Sequence, residues 1–126
     1  MNIIKKIIRR LHILRVGELG YAVECGMKIG EGVTEIGGVN YGSEPYLITL
    51  GNNVRISNNV QFVTHDGGSF VFRRYEKYKD VVHYGRITVG NDVFIGARVI
   101  INNTKSIAEK GYSLDKVVDE FIRLCS

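Results

Sequence analysis

The chain's densest concentration of reactive residues is the run Thr64-His65-Asp66-Gly67-Gly68. Histidine is the side chain whose ordinary titration range best suits taking a proton from a hydroxyl as that oxygen attacks. His65 therefore makes this run the likeliest home of chemistry, and the plainer alternative is a structural histidine at a chain corner. Asp66 beside it would contact an acceptor, or would be a turn residue, since Asp-Gly is a strong turn signal. Two further histidines, His12 and His83, raise the question of a metal, because zinc sites commonly draw on histidine. His83 lies eighteen residues beyond His65, but the stretch between them is aperiodic, and His12 sits in a distant segment, so no metal is expected. Cys25 and Cys125 form neither a metal motif nor a disulfide framework and read as free thiols of a cytosolic protein. Neither cysteine and no serine stands in a nucleophile motif.

A period of six positions His65. Leu50-Gly51-Asn52-Asn53-Val54-Arg55, Ile56-Ser57-Asn58-Asn59-Val60-Gln61 and Phe62-Val63-Thr64-His65-Asp66-Gly67 are successive steps, each led by an aliphatic or aromatic residue. The step returns in Val89-Gly90-Asn91-Asp92-Val93-Phe94 and Ile95-Gly96-Ala97-Arg98-Val99-Ile100, and once earlier in Ile29-Gly30-Glu31-Gly32-Val33-Thr34. Neither a helix nor an alternating strand has this period; a β-solenoid does. The leading residue would point inward, where stacked coils bury it as a ladder. The Gly, Asn and Asp that follow tolerate the left-handed backbone of a corner. Unrelated hairpins with Asn- and Gly-rich turns are the alternative, but two phased blocks of steps favour the solenoid.

The rest of the chain divides around this pattern. Residues 1–16 place Ile3, Ile4, Ile7, Ile8, Leu11 and Leu14 at helical spacing among Lys5, Lys6, Arg9, Arg10 and Arg15, a basic amphipathic helix. Such a helix would cap the open first coil, whose ladder ends need cover, or attach peripherally to an anionic inner leaflet. No uninterrupted apolar run supports a signal peptide or membrane span, so a cytoplasmic location is expected. Residues 17–103 form the solenoid, interrupted over 68–86 by a loop containing Phe70, Arg73, Arg74, Tyr75 and Tyr84. Aromatic faces beside arginines suit a sugar ring or a nucleotide, which makes Arg73 and Tyr75 candidate substrate contacts. Residues 104–126 read as a C-terminal helical segment, with Ser113 as N-cap and Leu114, Val117, Val118, Phe121 and Ile122 at helical spacing. At 126 residues this is one domain by length. A formal charge of +4 fits a small anion or a membrane surface as well as nucleic acid, and no nucleic-acid partner is expected.

The steps Leu50–Gln61, the Thr64–Gly68 element, the following Phe70-Val71-Phe72-Arg73 and the block Val89–Ile101 resemble the hexapeptide-repeat acyltransferases, more narrowly the O-acetyltransferases of bacterial capsular and surface polysaccharide synthesis. The resemblance covers roughly residues 29 to 101. It implies an all-β fold, a left-handed parallel β-helix, which the short helices read at both ends would flank, and a homotrimer binding acetyl-CoA between subunits. It implies an acetyl group passed to a saccharide hydroxyl (or amino group) without an acyl-enzyme, with His65 as the base. Gly96 and Ala97 resemble the small residues that let the pantetheine arm approach. After Ile101 the sequence departs from the pattern: the coils that complete the CoA groove in the resembling enzymes are replaced by the helical segment. A short or truncated enzyme, or one that has lost activity, is thus also expected as a reading. Two other classes account for less of the sequence. One is a zinc hydratase on the same solenoid, like the gamma-type carbonic anhydrases; the other is a solenoid that only assembles with partners.

Overall fold

The computed structural model describes residues 2–65, 67–71, 73–80, 82 and 84–102. Asp66, His83 and the segment 104–126 with its expected helix lie outside the described residues.

Three short sheets arise because the chain turns a corner about every six residues. Strands β1 (Lys28–Ile29), β3 (Ile48–Leu50) and β6 (Ile87–Val89) form the first sheet. Strands β2 (Thr34–Glu35), β4 (Val54–Ile56) and β7 (Val93–Ile95) form the second, and β5 (Gln61–Val63) and β8 (Ile100–Asn102) the third. Asn40 extends the third sheet by a bridge to Gln61. All pairings are parallel, and the chain visits the three sheets in the same order on each turn.

The corners explain the glycine and asparagine of each step. Gly32, Asn53 and Asp92 stand at equivalent places on successive turns with φ of 71°, 54° and 56°. Gly38, Asn59 and Arg98 do the same at the next corner, at 65°, 57° and 60°. Only glycine, and less readily Asn or Asp, adopts this left-handed backbone cheaply. The side chains there also tie the turns together. Asn52 Oδ1 accepts the Glu31 N–H at 2.9 Å, Asn91 Oδ1 accepts the Asn52 N–H at 2.7 Å, and Asn53 Nδ2 donates to Asp92 Oδ1 at 2.7 Å. A Cβ on Gly30 or Gly51 would collide with the asparagine of the turn above.

Between the sheets, Ile48, Leu50, Val54, Ile56, Val60, Phe62, Ile87 and Ile95 are buried, joined by Met27, Val39 and Tyr41 from the first turn. Tyr41 stacks on Phe62 with ring centroids 5.3 Å apart. Register rows such as Ile48–Ile87, Val54–Val93 and Ile56–Ile95 are the expected ladders. One row is broken: opposite Ile56 on the first turn stands Glu35, whose carboxylate accepts the Tyr41 hydroxyl at 2.7 Å and the Leu19 N–H at 3.1 Å.

Leu19 belongs to the helical segment α1 (Ile3–Glu24), which bends at Gly17, where φ is 80° and ψ 165°. The bend is sharp. His12 Nε2 lies 2.6 Å from Glu24 Oε2, and the Arg9 guanidinium sits 5.4 Å over the Tyr21 ring, although twelve residues of straight helix would span about 18 Å. The helical segment anticipated over 1–16 thus stops one residue short of the bend, and helix resumes to Glu24. This second limb seats on the first turn: Ala22 is buried in the core and Leu19 packs against it. Glu35 supplies the acceptor that the bend removes from the Leu19 N–H.

Candidate functional site

Within a turn, paired positions are six residues apart, as in Thr49, Arg55 and Gln61. The exception is the corner leading from the third sheet back to the first. There the chain makes a small excursion on its first turn, from Asn40 to Thr49, and a long one on its second, from Val63 to Ile87. Both excursions leave the same corner, so they stack.

His65 begins the long excursion, directly after β5. Its Nδ1 lies 2.7 Å from Oε2 of Glu44, which belongs to the small excursion. The same oxygen accepts the Thr64 hydroxyl at 2.7 Å. Glu44 is 8 % exposed and Thr64 1 % exposed, whereas the His65 side chain is 39 % exposed. A carboxylate only accepts, so Nδ1 carries the proton and donates it to Glu44, leaving Nε2 as the basic nitrogen. The arrangement is a histidine oriented by a carboxylate, with the half-exposed ring open to a reactant.

Two contacts fix the site's rim. The Tyr84 ring lies against His65 at 4.9 Å between centroids. The Gly85 N–H donates to the Thr64 carbonyl at 2.8 Å, closing the long excursion on itself. Inside the excursion, helical turns form at Gly67–Val71 and Glu76–Tyr78. The Arg73 guanidinium sits 4.9 Å over the Phe70 ring and its Nε donates to the Lys79 carbonyl at 2.9 Å. Tyr75, exposed, lies beneath Arg74 at 5.6 Å. Among the described residues no hydrogen bond or ring contact joins Arg73 or Tyr75 to His65, and the Arg73 contacts are within the loop.

Gly96 and Ala97 follow β7, at the corner between the second and third sheets. His65 stands at the corner between the third and the first. Within one chain these residues therefore occupy different corners. Among the described residues no group of three His, Cys, Asp or Glu side chains gathers as a metal site, and His12 is engaged by Glu24.

Glu44 is the site residue that the sequence reading lacks. A signal for it existed: Glu44 and His65 are 21 residues apart, the offset that pairs Thr34 with Arg55 and Asn40 with Gln61.

Fold and site together define a stack of parallel strands in three sheets, with a histidine–carboxylate pair at a shared corner. The chain is similar to Protein CapG of Staphylococcus aureus, with 52 % identity over 61 residues that make up 48 % of this chain. The matched stretch is 34 % of that relative's length, so the chain spans about a third of it. No protein-family model matches the chain, and no solved structure matches it significantly.

Proposed function

We propose that this protein transfers an acetyl group from acetyl-CoA to a hydroxyl group of a saccharide, with His65 as general base and Glu44 as its positioning partner. The observation that carries this reading is the His65–Glu44 pair, with Nδ1 and Oε2 at 2.7 Å, at the one corner where both excursions meet. The six-residue steps, the Thr64–Gly68 element and the similarity to Protein CapG support it. The three-sheet stack is read as a left-handed parallel β-helix, built of hexapeptide steps.

Chemically, the acceptor oxygen attacks the thioester carbonyl as its proton passes to His65 Nε2. The tetrahedral oxyanion, held by a backbone N–H of a corner, collapses to the ester. The sulfur leaves as thiolate and takes the proton back from Nε2. No acyl-enzyme forms, and His65 ends in its starting state. Because His65 and the Gly96–Ala97 corner are separated within one chain, a site using both draws them from neighbouring copies, in keeping with the homotrimer that the resemblance implies. Arg73 shapes the acceptor wall, and Tyr75 offers an aromatic face to a sugar ring.

The test is purified protein with acetyl-CoA and a panel of saccharide acceptors, following thiol release and ester formation. Wild-type turnover that falls about a hundredfold or more in His65→Ala is expected for loss of a general base. Absent transfer, or transfer indifferent to His65→Ala, overturns the assignment.

A further inference from the structure

The first limb of α1 carries a feature that the catalytic reading does not use. Ile3, Ile4, Ile7, Ile8, Leu11 and Leu14 are all between 52 % and 82 % exposed. At 100° per residue they lie within about 140° of arc. Lys5, Lys6, Arg9 and Arg10 fall outside that arc, and Arg15 falls inside it near one edge. The opposite face turns inward: His12 and Arg9 meet Glu24 and Tyr21 of the second limb across the Gly17 bend. The second limb is fixed to the first turn through Ala22, Leu19 and Glu35. The fold thus anchors one limb and leaves the other limb's aliphatic stripe exposed, with Ile3, Ile7 and Leu14 at a cleft that Gly38, Val39 and Asn40 also line. A contiguous stripe of six large aliphatics exceeds what a monomer surface ordinarily leaves to water.

We propose that this limb docks the protein on an anionic lipid bilayer, lying in the interfacial plane with its aliphatic stripe among the acyl chains. Charge selects the occupant. Residues 2–17 hold five of the chain's 17 Lys and Arg and none of its 13 Asp and Glu. The remainder of the chain, with 12 Lys and Arg against 13 Asp and Glu, is close to balance, and two such limbs side by side repel. A surface of acidic headgroups satisfies the cations while the hydrocarbon takes up the stripe. No helix among the described residues is long and apolar enough to cross a membrane, so this attachment is peripheral. The inference stands apart from the acetyl-transfer reading and does not need it.

Vesicle co-flotation of the full chain tests it, with phosphatidylglycerol-containing vesicles against pure phosphatidylcholine. Flotation with the anionic vesicles, and its release by 0.5 M salt as screening shortens to about 4 Å or less, is expected. Each basic residue near such a surface raises partitioning about fivefold. The variant with Lys5, Lys6, Arg9 and Arg10 all changed to Glu should therefore lose about a hundredfold or more. Ile4→Asp with Leu11→Asp should lose binding while keeping the thermal unfolding midpoint, because both side chains are exposed. Equal flotation with neutral vesicles, or none with anionic ones, overturns the proposal. So does a mass that drops on light scattering in these variants without any change in flotation, which would assign the stripe to a second copy.

Discussion

Replacing Glu44 by Gln keeps the size and the acceptor oxygen of a side chain that is 8 % exposed, but removes its charge. Glu44 Oε2 accepts from Thr64 Oγ1 and His65 Nδ1, each at 2.7 Å. Hydrogen bonds to a charged group contribute about 1.5–3 kcal/mol, against about 1 kcal/mol for neutral pairs. As Nε2 takes a proton in the transition state, the bond from Nδ1 becomes an ion pair, and this is the interaction Gln weakens. The His65 ring is 39 % exposed, so water screens part of the difference and the low end of the range applies. The difference from a neutral bond is then about 0.5 kcal/mol, so roughly a twofold loss in kcat is expected, with KM for acetyl-CoA and acceptor unchanged because Glu44 is buried. In a His65→Ala background the same Glu44→Gln change should do nothing further, since its whole effect passes through the imidazole. Steady-state kinetics on the four proteins of this cycle decide the matter. If the two substitutions lower kcat additively, or if Glu44→Gln raises KM at constant kcat, Glu44 is not positioning His65 and the argument is wrong.

Three further predictions concern the stack that holds the site. Burial, reinforced by the Glu35 carboxylate that accepts its hydroxyl, pushes the Tyr41 phenol far above its ordinary range. The folded state then holds this proton more tightly than the unfolded chain, so its contribution is intact below about pH 10 and is lost as the pH rises beyond it. Urea midpoints should fall less steeply above about pH 10 in Tyr41→Phe than in wild type, and parallel curves would refute the coupling. Arg98 adopts φ of 60° where Gly38 and Asn59 stand on earlier turns; Arg98→Asn should stabilise the protein by up to about 1 kcal/mol, and a lower urea midpoint would refute that. Phe94 and Ile100 face outward at 68 % and 63 % exposure, and the proposed trimer would bury such residues. Phe94→Asp is expected to reduce the mass seen by light scattering to one chain, and an unchanged oligomer removes Phe94 from the interface.

Much of the strand arrangement was legible because the six-residue step is itself a physical statement: one inward residue, then a corner that must go left-handed. Leu50, Ile56 and Phe62 lead their steps and are buried, and Asn53, Asn59 and Asp92 take the positive φ that their residue types allow. Arg98 shows the limit, since nothing in an arginine announces a left-handed corner; only its place in the row does. The first turn was harder to read, because Glu35 occupies the row of Ile56 and interrupts the apolar period for the sake of the helix it holds. The second limb of α1 was missed for a related reason. The helix expected over 1–16 ends before Gly17, which is a bend, and the Leu19 N–H that it frees finds a partner in a strand.

His65 was legible as a residue type beside a turn, but Glu44 was not, because carboxylate support comes from another turn of the stack. That placement follows from how such a fold can accept extra chain. The flat faces cannot lengthen without breaking the ladders and the pairing registers, whereas a corner can lengthen without disturbing either. Both excursions use one corner, so the second lies over the first and residues 21 apart meet. The floor, Glu44 and Thr64, is held rigid by the buried stack, and the ring above it stays open to a reactant. The other two corners have tight six-residue turns beneath them and no excursion of chain to frame a ring as Tyr84 frames His65. The His65–Glu44 pair stands where the period can admit extra chain.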